Sequence, residues 1–509
     1  MISRITIHNF HSIKDLSLEV GPINSLVGPN NVGKSNILRA VNLLLGARWP
    51  PSVTSSEDKN RDMMNEPLVL RVQLSTPLRK DYYGKIFDVW GFEFKYESQD
   101  QTEFVCLDQS GKVLFTKYEN PLRVDNHLRE QTPALLVDTR RDLASELRAS
   151  QWTLLGKILD NVEGRLMGTG GFPEKFDGKA KELAAQLMED PVKELERILN
   201  EEMTGISGFH ELELSFQPPD LYTALRAIQI FVSEAPDIPK GKAEDLGQGL
   251  QSALVISMAR VYQKLHQVNP VLLLEEPESF LHPQARRAFH SLLEDTACTK
   301  GCQVFYSTHS AEFIDVAKPE HIYLTRKDPI NGTYVVRGDP SVLTPNEYLE
   351  LKVLCEVDER VCEMLFSTCV IACEGDAEAY SVPILLSKGG SDPDRNGWAV
   401  MSTGSKANLP FILKMCSHFK IPCVAVFDED SDKSNYADYQ LPLNRKIIEL
   451  VGGSDKCWTS DPSFEAMHGI DMSGSKPRSA VKWAKEMSGA EASRISKPLV
   501  DAIGKACTK

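Results

Sequence analysis

A chain of 509 residues is too long for one hydrophobic core and divides into two or three domains. Its 42% hydrophobic and 25% charged residues exclude a chain dominated by disorder, and no apolar run reaches membrane-span length. The net charge of −14 argues against wholesale coating of nucleic acid but leaves room for a local basic groove. Met1-Ile-Ser-Arg-Ile-Thr is no signal peptide, so a cytoplasmic location is expected. The eleven cysteines are scattered and lack C-x-x-C spacing, which points to reduced thiols rather than a zinc site.

Residues 1–27 alternate apolar and polar positions, predicting two strands before a third, Ile23–Val27. Next comes Gly28-Pro-Asn-Asn-Val-Gly-Lys34-Ser35, G-x-x-x-x-G-K-S, and then a helical run from Asn36 to Leu45. Strand, glycine loop and helix present backbone N–H groups to a phosphate. Asn30, Asn31 and Gly33 shape that loop. Lys34 would reach the β- and γ-phosphates of ATP, and Ser35 would bind Mg²⁺. A polar loop at 50–60 precedes a strand, Leu68–Leu74, in which Gln73 is a candidate metal-linking glutamine and equally a solvent-facing strand residue. Residues 86–137 read as strands.

From 140 to 230 the pattern turns helical, with amphipathic runs beginning at Asp142, Trp152 and Lys181 and a break at Gly168-Thr-Gly-Gly. A glycine turn opening a helix follows, with Gly247, Gly249 and Gln251 as candidate nucleotide contacts. Val271-Leu-Leu-Leu is a buried strand that delivers Glu275 and Glu276 at its carboxyl end, where open α/β sheets bind ligands. Glu278 fits a solvated acidic turn. A further strand ends in His309. These elements, in this order and with the opening Ile7-His-Asn-Phe-His-Ser-Ile, resemble the head of a RecF/SMC-like ABC-type ATPase. That resemblance implies roles for Glu275 on Mg²⁺, Glu276 on the attacking water and His309 on the γ-phosphate. It also makes Gly247, Gly249 and Gln251 a signature loop acting on a partner's nucleotide.

After a helical connector at 351–368, a strand delivers Glu374-Gly375-Asp376-Ala-Glu378, and a later strand ends in Asp428-Glu-Asp430. Clustered carboxylates repel one another unless a cation sits among them, and a hard divalent metal is the economical explanation. E-G-x-x-E and D-x-D resemble a Toprim domain. An ABC-type head followed by Toprim resembles the OLD (overcoming lysogenization defect) family of nucleases, and the stretch through Gly404-Ser-Lys406 shares that look. The implied fold is α/β: an ATPase domain over 1–350 with a helical, dimerising insertion near 140–230, then a Rossmann-like Toprim domain over 369–509 with a C-terminal helical region.

The resemblance also implies two-metal phosphodiester hydrolysis with Glu374, Glu378, Asp428 and Asp430 as ligands. Glu465 and Lys476 are the candidates for the further acid and lysine of that family, and Asp376 reads as a helix-start residue. ATP and Mg²⁺ (or Mn²⁺) are the implied cofactors, and double-stranded DNA the implied substrate. A homodimer or higher even oligomer is implied too, with room for an accessory helicase or reverse transcriptase and a role in anti-phage defence or DNA repair. Two alternatives stand beside this: a RecF-like repair ATPase with a DNA-binding, non-cleaving C-terminal domain, and a Toprim RNase. The basic tail (Lys476, Arg478, Lys482, Lys485, Arg494, Lys497) suits either a DNA backbone or a solvated helix face.

Overall fold

The computed structural model describes residues 1–138, 143–150, 153–187, 189–203, 214, 218–233, 239–266, 268–279, 281–298, 302–357, 360–470 and 475–508. In chain order the strands are β1 (Ile2–Phe10), β2 (Ile13–Glu19), β3 (Ile23–Val27), β4 (Leu68–Tyr82), β5 (Lys85–Ser98), β6 (Gln101–Leu107) and β7 (Ala134–Asp138). Then come a short ribbon of β8 (Phe231–Val232) and β9 (Gly241–Lys242), followed by β10 (Val271–Glu275), β11 (Gln303–Thr308), β12 (Ile322–Asp328) and β13 (Gly332–Arg337). The last four are β14 (Cys369–Cys373), β15 (Trp398–Ser402), β16 (Cys423–Asp428) and β17 (Cys457–Ser460).

Among the described residues, eleven strands form one sheet in the order β6-β5-β4-β1-β2-β13-β12-β3-β11-β10-β7. The β12-β3-β11-β10-β7 half is parallel, and its strands read as continuous apolar runs because both faces are covered. The other half is antiparallel and alternates, so Ile5, Ile7, Leu70 and Val72 all point inward. Their inner face packs with Ile37, Leu38, Val41 and Leu44 of the Lys34–Leu45 helix. Each such side chain contributes about 1.5–3 kcal/mol by leaving water. The core therefore fixes the helix that the glycine loop leads into.

The second sheet, β15-β14-β16-β17, is parallel throughout. One face (Ala372, Met401, Ala425, Phe427) packs with the Leu409–His418 helix, and the other (Ile371, Val400, Val424, Val426) packs with the Asp376–Lys388 and Gly489–Cys507 helices. The first of these cores also takes in Val27, Ile322 and Leu324 from the large sheet, so one apolar body joins head and C-terminal domain.

Several elements differ from the sequence reading. The strand starting at Leu68 runs on to Tyr82 as half of a long hairpin. Residues 108–133 are mostly turns around a short Asn126–Glu130 helix. The connector's first helix begins at Pro345, set up by the Thr344–Glu347 cap. Leu154–Met167 and Phe172–Leu187 are helices separated at Gly168–Gly171, as the glycine break predicts. Asp142, Trp152 and Met188, at the edges of the predicted runs, lie outside the described residues. Among the described residues no helix is long and apolar enough to cross a membrane.

Candidate active sites

The first site is built where β3, β11 and β10 end side by side, with Val27 opposite Thr308 and Ser307 opposite Glu275. The glycine loop follows β3. Gly28 (φ 144°) and Gly33 (φ 104°) are obligatory, because a Cβ would lie 2.3 Å from the Thr325 carbonyl oxygen and 2.3 Å from Thr333 Oγ1, respectively. Thr333 Oγ1 in turn donates to the Val32 carbonyl (2.7 Å) and ties the loop to β13. Asn30 and Asn31 sit exposed on the rim, and Ser35 opens the helix. Lys34 is buried and donates to the carbonyls of Gly28 (2.7 Å) and Pro29 (2.8 Å). Burial pulls its pKa down to about 8 against the opposing pull of Glu276 and Glu278.

Glu275 ends β10 buried, with Arg39 Nε 3.9 Å from its Oε1. Glu276 takes a left-handed backbone (φ 44°), a strained conformation for this residue that turns it out of the strand. Its N–H donates to the Ser307 carbonyl (3.0 Å), and its Oε1 lies 3.4 Å from His309 Nε2. Burial, and then Lys34, lower the pKa of His309. The sequence reading of Glu278 as a solvated turn acid is wrong. Glu278 is 5% exposed and accepts from Thr308 Oγ1 (2.6 Å) and the His309 N–H (2.8 Å), pinning the strand end that carries His309.

Two sequence candidates stand apart from this pocket. Gln73 lies on the face of β4 opposite Val72 and Leu74, against Gly111, so the strand's two-residue period turns it away from the core face where the nucleotide helix packs. Gln251 is buried, and its amide donates to the Glu244 carbonyl (2.7 Å), bracing its own loop. Gly247 and Gly249 open on a groove of about 470 Å³ with Leu281 and Phe289.

The second site lies between β14 and β16. The chain passes from β14 outward to β15, then back across to β16 and β17, so the gap between β14 and β16 is a topological switch point. Glu374 follows β14 and Asp428 ends β16. Glu374 Oε2 accepts from the Asp428 N–H (3.0 Å), and Asp428 Oδ1 accepts from the Phe464 N–H (2.7 Å). Glu378 stands in the first turn of the Asp376–Lys388 helix, and Asp376 is its exposed first residue. Glu465 is buried in the Phe464–His468 helix, with Lys476 Nζ 3.3 Å away.

Burial, reinforced by the neighbouring acids Glu378 and Glu374, pushes Asp428 up to about 8. Burial also raises Glu378 to about 7, with Glu374 and Glu465 adding to it, and raises Glu374. Among the described residues no three acids converge into a ready-made shell for an ion. The donor set nevertheless fits a hard divalent cation: buried carboxylates, each made costlier to ionise by the others' charge, regain the ionised form beside such an ion.

A family model for the AAA ATPase domain matches residues 1–76 and 80–314, and the Overcoming lysogenization defect protein-like, TOPRIM domain matches 365–430. The chain belongs to the AAA ATPase domain family and carries an OLD-like TOPRIM domain behind it. The OLD nuclease of Thermus scotoductus is 29% identical, the alignment covering 99% of this chain and 98% of that protein. The Old nuclease of Escherichia phage P2 is 24% identical over 65% of this chain and 60% of its own length. The SMC head bound to the C-winged helix domain of ScpA overlaps 67% of this chain and 99% of its own at a TM-score of 0.39 and 14% identity, too loosely to carry weight. It pairs an ATPase centre with a Toprim nuclease centre.

Sequence reasoning passed over Lys406 as a functional residue, though its Gly-Ser-Lys turn was visible. The structure buries it against Asp430. The acid cluster itself has a thermal consequence. Asp428 and Glu378 titrate above their unfolded values, so their stabilisation is complete below about pH 4 and lost as pH rises through 7 and 8. In EDTA the stability should fall between pH 6 and pH 9 by on the order of a few kcal/mol, read as a lower melting temperature. Saturating Mg²⁺ should remove most of that fall. A flat profile in EDTA would contradict it.

Proposed function

We propose that the chain is a divalent-metal-dependent DNA endonuclease whose cleavage is regulated by ATP held in the head domain, acting in defence against foreign DNA or in DNA repair. The observation that supports the nuclease reading best is the set of carboxylates at the β14–β16 switch point, Glu378, Asp428 and Glu465 buried and Glu374 partly so. These residues would hold the cation, which when bound supplies an acidified water and charge relief for the leaving oxygen. The backbone N–H of Phe464 orients Asp428, and Glu374 accepts from the Asp428 N–H, so the ligands are set before substrate arrives. Lys476, 61% exposed beside Glu465, is placed to meet a phosphate entering from solvent.

Regulation by nucleotide is supported by a direct contact between the two domains. The His309 ring stacks obliquely on Phe366, centroids 6.2 Å apart and planes at 35°. Next along the chain, the Ser367 carbonyl accepts from Arg326 Nη1 at 2.8 Å. Strand β14 begins two residues later, and Glu374 follows its last residue. A shift of His309 toward a γ-phosphate thus acts on the segment that carries the first metal-binding acid.

Phe366→Ala should leave ATP turnover within about twofold of wild type while shrinking the ATP response of cleavage at least about tenfold. The check is plasmid cleavage with and without ATP beside phosphate release. An undiminished ATP response in the variant would remove His309–Phe366 from the coupling.

A further inference from the structure

Glu276 and His309 each stand just beyond the paired residues of β10 and β11, whose last matched residues are Glu275 and Ser307. The 3.4 Å between Glu276 Oε1 and His309 Nε2 is therefore set by whatever holds the two turns that follow those strands. Each turn has bonds of its own. After β10, the Ser279 N–H donates to the Glu276 carbonyl (3.0 Å) and the Leu281 N–H to the Glu278 carbonyl (3.0 Å). After β11, the Ser310 N–H donates to Thr308 Oγ1 (3.0 Å), the Ser310 hydroxyl donates to the Glu312 carboxylate, and the Phe313 N–H donates to the Ser310 carbonyl (3.2 Å).

Arg286 spans both turns. It lies in the first turn of the Pro283–Cys298 helix and donates from Nε to the Leu281 carbonyl (3.0 Å) and from Nη1 to Ser310 Oγ (3.4 Å). Its Nη1 also lies 3.7 Å from Glu312 Oε2, the oxygen that takes the Ser310 hydroxyl. A guanidinium offers its N–H groups in a fixed, planar fork, so bonds to two separate turns set the distance between them, which a single ammonium on a flexible stem does not do. With the Arg286 side chain 30% exposed, its ion pair with Glu312 adds little stability by itself. Its effect is on geometry.

We propose that Arg286 is a positioning residue for ATP hydrolysis: its guanidinium, backed by Glu312, ties the turn that follows Glu276 to the turn that follows His309 and so holds those two side chains at the spacing that aligns the attacking water. This rests on reading Glu276 as the acid that polarises that water. Arg286 acts through Glu276 and His309, so it bears on the chemical step and leaves the glycine loop, Lys34 and Ser35 as they are. The lever is large, since a displacement of about 1 Å at reacting groups costs up to about a hundredfold in rate.

The test is hydrolysis of radiolabelled ATP by the full chain at saturating nucleotide, with nucleotide affinity and melting temperature recorded alongside. Arg286→Ala should hydrolyse ATP at least about tenfold more slowly than wild type with nucleotide affinity kept within about twofold. Glu276→Gln supplies the second background: adding Arg286→Ala to it should slow hydrolysis by no more than about twofold, because the pair that Arg286 positions is already disabled. A residue that merely propped the fold would weaken nucleotide binding and lower the rate by the same factor in both backgrounds. A loss below about tenfold in folded Arg286→Ala overturns the proposal, and so does a further loss above about twofold on top of Glu276→Gln. Should Arg286→Ala not fold, Glu312→Gln decides, because its amide still accepts from Ser310 and only the charge facing Arg286 is lost. Hydrolysis at least about threefold slower in Glu312→Gln, with no such loss when Glu276→Gln is already present, supports the proposal, and any other result overturns it. Glu276→Gln that itself hydrolyses ATP within about threefold of wild type would instead refute the water-polarising role of Glu276, and the role of Arg286 with it.

Discussion

Asp428→Asn should lower phosphodiester cleavage by at least about a thousandfold while leaving ATP turnover within about twofold. Asp428 ends β16 with its backbone paired to Ser460, its N–H on Glu374 and its Oδ1 on the Phe464 N–H. Asparagine keeps the shape and can still accept from Phe464, so the change removes charge rather than structure. That distinction has a second readout. Asp428 carries the highest of the raised carboxylate pKa values, about 8, because burial comes on top of Glu378 and Glu374. Neutralising it relieves repulsion in the metal-free protein, and the melting temperature in EDTA at pH 8 should rise even as cleavage disappears. Loss of cleavage with a lowered melting temperature would mean damage to the fold rather than to the site.

Glu276→Gln should cut ATP hydrolysis by about two to three orders of magnitude with nucleotide binding kept within about threefold. Binding is expected to rest on the glycine loop, Lys34 and Ser35, of which the substitution affects only the charge of Glu276 felt by Lys34. Glu276 is set apart from its neighbours by geometry. Glu275 is buried at the end of β10 and Glu278 is locked to Thr308 and His309, whereas Glu276 turns out at φ 44° with His309 Nε2 3.4 Å from its carboxylate. It is the acid of the three placed to polarise a water. Phosphate release measured beside nucleotide binding checks this, and a variant that hydrolyses within threefold of wild type would move the role to another residue.

Much of both sites was legible because their signals are local. A glycine loop needs its flanking strand and helix within a few residues, and β3 with the Lys34–Leu45 helix supplies them. Buried parallel strands announce themselves as apolar runs, so the carboxyl ends that deliver Glu275, His309, Glu374 and Asp428 could be read directly. What escaped depends on long-range pairing. Gln73 read equally as a metal-linking glutamine and as a solvent-facing strand residue, because the pleat and the hairpin to β5 decide which way it faces. Glu278 read as a turn acid because nothing nearby in sequence shows that Thr308, thirty residues on, will bond it. Lys406 and Asp430, 24 residues apart, meet only because β15 and β16 flank β14. The contact of His309 with Phe366 is invisible for the same reason.

The most direct measurement is incubation of the purified full chain with supercoiled plasmid and Mn²⁺ or Mg²⁺, wild type beside Asp428→Asn, with and without ATP. Nicked or linear DNA from wild type, absent with EDTA and absent from Asp428→Asn, is the expected result. Plasmid left intact by wild type under every metal and nucleotide condition, in a preparation that still hydrolyses ATP, would contradict a DNA-cleaving centre at Glu374, Glu378 and Asp428.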